Sequence, residues 1–471
     1  MKGFFADLGR GITSVFRKGG NLFESDGIPP LGKAIPFGIQ HILAMFVANV
    51  TPILIVLESL GLQNSDVATQ AMLGALFMAG LGTAMQLLMG ARLPIVIGTS
   101  FTFVGVFCTV GASAGGGEAG YYTILGSVLA GGLISTFLCL FVRWWGKLIK
   151  PVVPCVVVFA IGLSLLNSGA TQFIGGEGAL AQTQLPYFVY PLVAAATLAA
   201  ALLWQLLAKG VWKNLNVVFG IAVGYLICLC IPGMIDFSAV TVTGVEDVIT
   251  YPHLADVTKM KFEAVPIALT TAYFLMSVVE GIGDCTALCT DVLGRQPTTR
   301  EITGTVVTDG FNSVLCSLFG ALPLTTFAQN VGIVTQTKVV NRFTVLIGAI
   351  LLLLVSLFPV AANVLLTIPQ CVLGGAMVIL FGSIAVVGIK MFAKAGFSQK
   401  NVLILSLSLC LGFGITLVPQ FFEYLRSAGL NNLADMLSNN VLNMFVIAFV
   451  LSWVLPDDMD ISFKRKKQGE E

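Results

Sequence analysis

The feature that most constrains this chain is a succession of long apolar segments, each bounded by charged residues, proline or glycine. There are fourteen of them, at residues 34–57, 68–90, 94–111, 121–142, 151–167, 187–208, 214–231, 264–287, 301–320, 322–336, 343–358, 364–389, 401–418 and 439–455. Most have the ~20 residues that a helix needs to cross ~30 Å of hydrocarbon. Because 56% of the residues are hydrophobic and only 10% are charged, the sequence predicts an all-α polytopic membrane protein.

The distribution of basic residues indicates which loops face the cytoplasm, since cytoplasmic loops are enriched in Lys and Arg. With the basic N-terminus inside, the inner loops contain thirteen basic residues and the outer loops three. We therefore expect both tails, residues 1–33 and 457–471, in the cytoplasm. We also expect no cleaved signal peptide, because the first 33 residues contain no compact apolar region that ends in a small-residue cleavage site. The net charge of +1 leaves no overall basic surface for a nucleic acid.

Two pairs of similar segments indicate two related halves. The third segment begins LPIVIGTSFTF and the tenth LPLTTFAQN, while the fifth and twelfth carry VPCVVVFAIGLSL and IPQCVLGGAMVIL. Both pairs are seven segments apart, and an odd offset places the halves in opposite orientations. The sequence therefore predicts 7+7 inverted repeats, as in many secondary transporters, where interrupted segments at matching positions point to the binding site.

The tenth segment is also unusually polar. Residues 323–338 read PLTTFAQNVGIVTQTK. Polar side chains on irregular backbone occur at membrane depth only where they are buried in protein or line a wet cavity. This stretch is therefore the predicted centre of a binding site, and the alternative is a polar re-entrant loop without a ligand.

Three acidic residues lie inside apolar segments without a Lys or Arg beside them. Glu280 and Asp284 are one helical turn apart in the eighth segment, and Asp309 lies in the ninth. Intramembrane carboxylates commonly belong to proton relays. The three acids are therefore candidate proton carriers, the alternative being a purely structural role in hydrogen bonds to the backbone.

The ten cysteines and two histidines give no metal-binding pattern. Nearly all the cysteines lie in apolar runs, where a thiol behaves as a small hydrophobe. Cys285 and Cys289 are one turn apart, but the histidines are too scattered to complete a zinc site. We expect no metal or other cofactor, and the absence of a visible nucleophile–base pair argues against an enzyme.

The polar motifs together resemble those of the nucleobase-ascorbate transporters, also called nucleobase:cation symporters of the second type. The main match in the tenth segment is Gln329-Asn330-x-Gly332-x-x-x-x-Thr337-Lys338. The other matches are Gln40-His41, Ser100-Phe101, Glu280-Gly281 with Gly283, and Asp309-Gly310. The resemblance extends over essentially the whole chain, from about residue 30 to 455.

The resemblance implies two domains: a core of residues 34–147 and 258–358, and a gate of residues 148–257 and 359–456. It also implies short antiparallel β-strands in the third and tenth segments, which pair near mid-membrane. The sequence is compatible with this, because Ile97 and Thr99, like Leu324 and Thr326, are reasonable strand formers close to prolines. A homodimer through the gate, in a bacterial-type inner membrane, is implied as well.

The family's functional positions transfer to single residues of this chain. Glu280 resembles the carboxylate that hydrogen-bonds the substrate ring, and Gln329 the carboxamide that holds another edge of it. A flat nucleobase with alternating N–H and C=O groups suits this pair. The other positions implied to contact or select the substrate are Phe101, Phe327, the Ala328 backbone and Ser100. The motif residues with an implied structural role are Gln40, Asn330, Gly332, Thr337 and Lys338.

Gln329 also bears on the substrate, because uracil carriers of this family tend to have Glu at that position and xanthine and uric acid carriers Gln. The resemblance thus implies import of xanthine or uric acid by proton symport, with sodium as an alternative ion and an elevator-like or rocking motion of core against gate. The implied proton-coupling residues are Glu280, Asp309, Asp284 and His41. The alternatives are uracil or another nucleobase, an anion carrier of the same fold, a channel and a membrane enzyme.

Overall fold

The structure is a computed structural model that describes residues 9, 11–63, 65–176, 185–235, 237 and 249–456. The predicted C-terminal tail, residues 457–471, and residues 1–8 and 10 of the predicted N-terminal tail lie outside the described residues. Within the described ranges the protein is mostly helical, with two short strands. This confirms the predicted all-helical character and the two strands.

Each half of the chain contributes one strand and several helices. The first half contains α1 (Leu31–Ser59), α2 (Asp66–Leu88), β1 (Ile97–Thr99), α3 (Val104–Ser113), α4 (Gly117–Leu140), α5 (Val142–Trp145), α6 (Val152–Phe173), α7 (Val189–Leu207) and α8 (Asn216–Leu229). The second half contains α9 (Ala264–Asp291), α10 (Thr299–Leu318), β2 (Leu324–Thr326), α11 (Ala328–Thr337), α12 (Arg342–Val355), α13 (Pro359–Leu366), α14 (Gln370–Ala395), α15 (Gln399–Leu407), α16 (Pro419–Ser427), α17 (Asn431–Leu437) and α18 (Asn440–Val454). Tighter 3-10 turns occupy Phe101–Phe103, Gly146–Leu148, Gly210–Leu215, Val257–Lys259 and Gly414–Leu417, and Ser408–Phe413 is π-helical.

Eight helical stretches of the described residues are long and apolar enough to cross a membrane: α1, α2, α4, α6, α7, α9, α14 and Gln399–Leu417, which joins α15 to the π-helical and 3-10 turns that follow it. A ninth span is possible if α12 and α13, which meet at 87°, form one broken span. Of the other predicted segments, the ninth forms the 20-residue α10, and several form shorter elements, such as the 14-residue α8 and the 15-residue α18. A multi-pass membrane protein is therefore confirmed, whereas fourteen crossings remain a prediction.

The twelfth predicted segment, residues 364–389, differs from the observed helices. Instead of one helix from residue 364, α13 ends at Leu366 and α14 begins at Gln370. Pro369 lies between them. A proline lacks the N–H that a helix interior needs and disfavours the helical conformation of the residue before it, which is Ile368 in this chain.

Contacts divide the chain into two compact units. The first comprises Met1–Gly146 and Leu163–Ser383, and the second Lys147–Gly162 and Ile384–Glu471. In the first unit α4 packs against α9 and α10, and α12 packs against α1 and α2. Glycine allows α1 and α12 to approach closely, because a Cβ on Gly38 would lie 2.7 Å from the Thr344 carbonyl oxygen. In the second unit α18 packs against α15 and the π-helical stretch.

The two strands pair antiparallel inside the first unit. Ile97 lies opposite Thr326 and Thr99 opposite Leu324, and all six strand residues are buried. Each strand is followed by a ten-residue helix, α3 after β1 and α11 after β2. This shared order of elements agrees with the similarity of the third and tenth segments, while the inverted repeat itself stays a prediction.

A two-stranded sheet has two free edges, and hydrocarbon cannot satisfy their N–H and C=O groups. Polar side chains from three helices do so in this protein. Thr83 of α2 accepts a hydrogen bond from the Ile97 N–H at 3.1 Å and donates one to the Ile97 carbonyl at 3.2 Å. Asn49 Oδ1 accepts from the Thr99 N–H at 2.8 Å, and Ser313 Oγ accepts from the Leu324 N–H at 3.2 Å. The sheet can therefore exist inside an apolar protein.

Candidate functional site

Helix α9 carries two of the intramembrane acids, and both contact the interrupted third and tenth segments. Thr102, in the turn after β1, donates a hydrogen bond from Oγ1 to Glu280 Oε2 at 2.9 Å. Thr326, the last residue of β2, donates one to Asp284 Oδ2 at 2.8 Å. Because Glu280 and Asp284 are one turn apart, a single face of α9 contacts both the third and the tenth segment.

The third acid, Asp309 of α10, is buried close to the same helix. Gln86 of α2 donates from Nε2 to Asp309 Oδ1 at 3.1 Å. The other carboxylate oxygen, Oδ2, is buried and has no hydrogen-bond partner among the described residues. It faces α9, because a Cβ on Gly281 would lie 3.3 Å from it. Glycine at position 281 thus leaves room for the Asp309 carboxyl group next to Glu280.

None of these three acids forms an ion pair with a Lys or Arg in the part of the chain that the structure describes. Their described partners are hydroxyl and carboxamide donors instead. Neutral donors of this kind accommodate a carboxyl group with or without its proton more readily than a fixed cation does. The arrangement is chemically suited to groups that change protonation.

His41 is placed with the motif of the tenth segment. Asn330 Nδ2 lies 3.2 Å from His41 Nδ1 and donates to the His41 carbonyl oxygen at 3.0 Å. Both residues are fully buried. This pair links α1 to α11, and the described hydrogen bonds do not join His41 to the acids of α9 and α10. The role of His41 in proton coupling stays a prediction.

Gln329 and Ala328 form the first turn of α11 and are half-buried. Helix α11 packs against α9, which carries Glu280. The Gln329 carboxamide has no hydrogen bond to a side chain or backbone group of the described residues. It is therefore available to a ligand in this structure.

The aromatic residues predicted at the site lie beside β1. Phe101 follows β1 closely, is 8% exposed and meets the Phe381 ring edge to face, with 5.4 Å between ring centroids. Phe327 follows β2 and covers β1, because a Cβ on Gly98 would lie 2.8 Å from its Cζ atom. Ser100 is buried and its Oγ accepts a hydrogen bond from the Thr102 N–H at 3.3 Å.

The end of the motif shapes the exit from α11. Lys338 adopts a left-handed backbone conformation with φ of 57°, and its Nζ donates to the Asp291 carbonyl oxygen at 3.2 Å. Thr337 Oγ1 donates to the Ile333 carbonyl oxygen at 2.9 Å. At Gly332 an added Cβ would meet no atom within 4 Å, so packing in this structure does not require glycine there.

The model of a permease family matches residues 32–421 of the chain. The protein belongs to this family, the nucleobase-ascorbate transporters. The permease is thus a multi-pass membrane transporter. The resemblance seen in its polar motifs is confirmed.

Full-length relatives agree with this assignment. The xanthine permease XanQ of Escherichia coli (strain K12) is 31% identical over 448 residues, which cover 92% of this chain and 94% of XanQ. The uric acid transporter UacT of the same strain is 30% identical over 441 residues, 91% of this chain and 87% of UacT. Among solved structures, the transmembrane domain of the cyanobacterial bicarbonate transporter BicA has a TM-score of 0.55 at 17% identity, covering 90% of this chain and 97% of that domain. This last similarity shows the fold alone.

Two residues that contact the acids, Thr102 and Gln86, are not among the predicted site residues. Both are polar residues inside apolar segments, and this is the signal that could have identified them.

Two cavities of about 210 and 280 Å³ are present in the described part of the permease. Apolar side chains of α1 and α8 line the first, and Gln40 lines the second beside Trp212. Neither is lined by Glu280 or Gln329.

Proposed function

We propose that this permease imports a purine nucleobase, xanthine or uric acid, by proton symport. One observation carries the proposal: Glu280 and Asp284, on one face of α9, are hydrogen-bonded to Thr102 of the third segment and Thr326 of the tenth. Substrate held by Glu280 would therefore lie where the two interrupted segments meet. In transporters with broken helices, this is where the substrate binds.

The chemistry of the site favours a flat heterocycle with N–H and C=O groups on its edge. Glu280 would accept hydrogen bonds from ring N–H groups, and the carboxamide of Gln329 would both donate to and accept from another edge. Phe101 and Phe327 would contact the ring faces, with the Ala328 backbone as a further donor. The names of the full-length relatives, xanthine permease and uric acid transporter, support a purine.

Coupling to a proton would occur at the acids of α9 and α10. We propose that Glu280, with Asp309 and Asp284, takes up a proton from outside, and that the loaded core then moves against the gate to face the cytoplasm. The unpartnered Oδ2 of Asp309 supports this, because a buried carboxylate oxygen without a donor is better accommodated with a proton. Sodium is the alternative coupling ion, and His41 a further candidate for coupling.

The core and gate domains, the homodimer through the gate and the bacterial-type inner membrane with cytoplasmic termini belong to the same proposal. They follow from the family and from the charge of the loops. In this arrangement residues 34–147 and 258–358 would move, and residues 148–257 and 359–456 would stay fixed in the membrane.

An anion carrier is the main alternative, because the fold is shared with a bicarbonate transporter. A site for an anion should offer cationic side chains or helix N-termini. The backbone N–H groups at the start of α11 would suit an anion, but the three buried acids would repel it. A uracil carrier is disfavoured because position 329 is Gln and not Glu.

The proposal is tested by uptake of radiolabelled xanthine into proteoliposomes with an inward proton gradient. Glu280→Gln should reduce uptake at least about tenfold, since a hydrogen bond to a charged group contributes ~1.5–3 kcal/mol. Glu263→Gln is the matched control, because Glu263 precedes the same helix and is exposed. Competition by urate, guanine, hypoxanthine, uracil and ascorbate ranks the substrates. Gradient-driven uptake by Glu280→Gln at the wild-type rate would rule out the proposed proton role.

A further inference from the structure

Gln86 of α2 joins the Asp309 carboxyl group to two backbone groups. Its side chain is fully buried. Gln86 Nε2 donates to the Thr305 carbonyl oxygen and to Asp309 Oδ1, both at 3.1 Å. Gln86 Oε1 accepts from the Ala91 N–H at 3.0 Å. Both N–H groups and the oxygen of this carboxamide therefore have partners.

The two backbone partners fix which end of the carboxamide faces Asp309. If the carboxamide were turned over, its oxygen would face the Thr305 carbonyl oxygen and its NH₂ group would face the Ala91 N–H. Like groups would then oppose each other, and buried donors and acceptors would be left unpaired, which is costly. Gln86 therefore presents an N–H group, and not its oxygen, to Asp309.

Two glycines make room for this arrangement. A Cβ on Gly304 of α10 would lie 2.6 Å from the Gly90 carbonyl oxygen, so glycine there lets the end of α2 approach α10. A Cβ on Gly90 would lie 1.8 Å from Gln86 Oε1. The φ of Gly90 is not in the left-handed region. It is therefore the space for the Gln86 carboxamide, and not the backbone conformation, that requires glycine at position 90.

The fixed donor determines which oxygen of Asp309 can carry a proton. A proton on Oδ1 would oppose the Gln86 N–H group, donor against donor. Asp309 Oδ2 is buried without a hydrogen-bond partner among the described residues. It faces α9, because a Cβ on Gly281 would lie 3.3 Å from it. The proton is therefore accommodated on Oδ2, on the side of Glu280.

The other groups around Asp309 offer no alternative donor. Helix α10 packs against α2, α4, α5, α9 and β2. The titratable groups that these elements bring close to Asp309 are Glu280 and Asp284 of α9 and Cys139 of α4, while Arg143 of α5 is exposed. Gln86 is the one side chain of the described residues that donates a hydrogen bond to this carboxyl group.

We propose that Gln86 is a positioning residue for proton transfer, which holds Asp309 Oδ1 and thereby directs the proton to Oδ2. This role rests on the proposed proton symport and adds to it a residue outside the interrupted segments. An N–H donor binds a carboxylate more strongly than a neutral acid, so loss of Gln86 should hinder release of the proton. The described partners of Gln86 are Asp309 and two backbone groups, and binding of the purine should not change.

The test combines infrared spectroscopy without purine and transport in proteoliposomes, both on the full-length protein. Difference spectra between acidic and neutral pH identify the Asp309 C=O stretch as the band that Asp309→Asn removes. Gln86→Leu should move this band to higher frequency, because the Oδ1 carbonyl loses its donor. Gradient-driven xanthine uptake should fall about tenfold, whereas xanthine counterflow at equal pH, which needs no net proton release, should change by less than about twofold.

Three further variants complete the test. Gln70→Leu is the matched control, because Gln70 is an exposed glutamine of the same helix, and it should keep both the band and the uptake. Gly90→Ala displaces the Gln86 carboxamide without changing Gln86 or Asp309, so it should reproduce the effects of Gln86→Leu. Gln86→Glu keeps the shape and the acceptor for the Ala91 N–H, and it replaces Gln86→Leu if that variant does not fold. Its carboxyl group would retain a proton between itself and Oδ1, so gradient-driven uptake should again fall and counterflow remain.

Two results would overturn the positioning role. The first is an unshifted band together with wild-type gradient-driven uptake in Gln86→Leu, or wild-type uptake in Gln86→Glu. The second is an equal loss of gradient-driven uptake, counterflow and xanthine binding, which would mean that Gln86 only stabilises the fold. Xanthine uptake by the wild type that ignores the proton gradient would instead contradict the proposed function, and the infrared shift, recorded without purine, would still decide whether Gln86 holds Asp309 Oδ1.

Discussion

At the scale of single residues, Thr102 determines where the Glu280 carboxylate points. Its hydroxyl donates to Glu280 Oε2 at 2.9 Å. Thr102→Val keeps the shape of the side chain and removes the donor. We expect the KM for xanthine to rise about tenfold, because a hydrogen bond to a charged group contributes ~1.5 kcal/mol. Initial rates of uptake in proteoliposomes measure it.

The control for this substitution is Thr109→Val. The Thr109 hydroxyl donates to the Gly105 carbonyl of its own helix at 3.0 Å, so its loss should leave the KM unchanged. A Thr102→Val variant with the wild-type KM would show that Glu280 is positioned by other contacts.

The three acids could be predicted from the sequence, whereas the hydrogen bonds of Thr102 and Gln86 to these acids could not. A carboxylate in an apolar segment costs free energy, so its presence indicates a functional or structural role. A threonine in a helix commonly bonds to a carbonyl of its own helix, as Thr136 and Thr271 do in this permease. Which threonine turns toward an acid 178 residues away depends on the packing of whole segments, and one sequence does not contain that information.

At the scale of elements, the short sheet depends on side chains that complete its edges. Thr83 alone satisfies both the N–H and the carbonyl of Ile97. Thr83→Val would leave both groups buried without a partner, at ~1–3 kcal/mol each. We expect the melting temperature to be several degrees lower. It is measured in detergent by the fluorescence of a thiol-reactive dye or of the native tryptophans.

The matched control for the strand edge is Thr123→Val in α4. Thr123 is also fully buried, but its hydroxyl donates to Ala119 of its own helix, whose carbonyl the helix already uses. Loss of that bond should change the melting temperature by a degree or less. Equal effects of both substitutions would mean that Thr83 does not stabilise the sheet specifically.

The N-terminal segment, residues 11–30, is an element that the sequence does not indicate. It carries little apolar pattern, and its sequence therefore predicts a tail. In the structure Asn341 Nδ2 donates to three of its carbonyl oxygens, those of Asn21 at 3.2 Å, Glu24 at 3.1 Å and Gly27 at 2.9 Å. The buried Arg342 side chain also forms an ion pair with Asp26. These contacts hold the segment against the start of α12.

Asn341→Ala should release this segment. Removing three hydrogen bonds of ~1 kcal/mol each, together with the N-cap that Asn341 Oδ1 forms by accepting from the Thr344 N–H at 2.9 Å, should raise the rate of tryptic cleavage after Arg17 and Lys18 by about tenfold or more. The Arg17 and Lys18 side chains are already exposed, so their burial does not limit cleavage. The rate of cleavage is limited instead by how often the segment opens. Asn401→Ala, which removes similar bonds to Ala395 and Gly396 in the second unit, should leave this cleavage unchanged. Cleavage at the wild-type rate in Asn341→Ala would contradict the anchoring role.

At the scale of the whole molecule, hydropathy locates the segments but not their interruptions. The third and tenth segments could be marked as irregular because proline and polar residues break them. The helices α16 and α17 could not, since they lie in residues 419–437, where charged and polar residues predict an outer loop. The distribution of basic residues assigns each loop to one side of the membrane only if the number of crossings is known. That number depends on segments that are too short to be simple helical spans.

Site-directed labelling measures this orientation directly. Glu118→Cys lies at the start of α4, where the Glu118 side chain is 57% exposed and pairs with Lys259, on the predicted outer side. Lys209→Cys follows α7 in an exposed position on the predicted inner side. Both are introduced after the exposed native Cys230 and Cys410 are changed to serine. A membrane-impermeant maleimide should label position 118 in intact cells and position 209 only after permeabilisation, because loops rich in Lys and Arg stay in the cytoplasm. Labelling of both positions in intact cells, or labelling in the reverse order, would show that at least one of the two positions lies on the side of the membrane opposite to the predicted one.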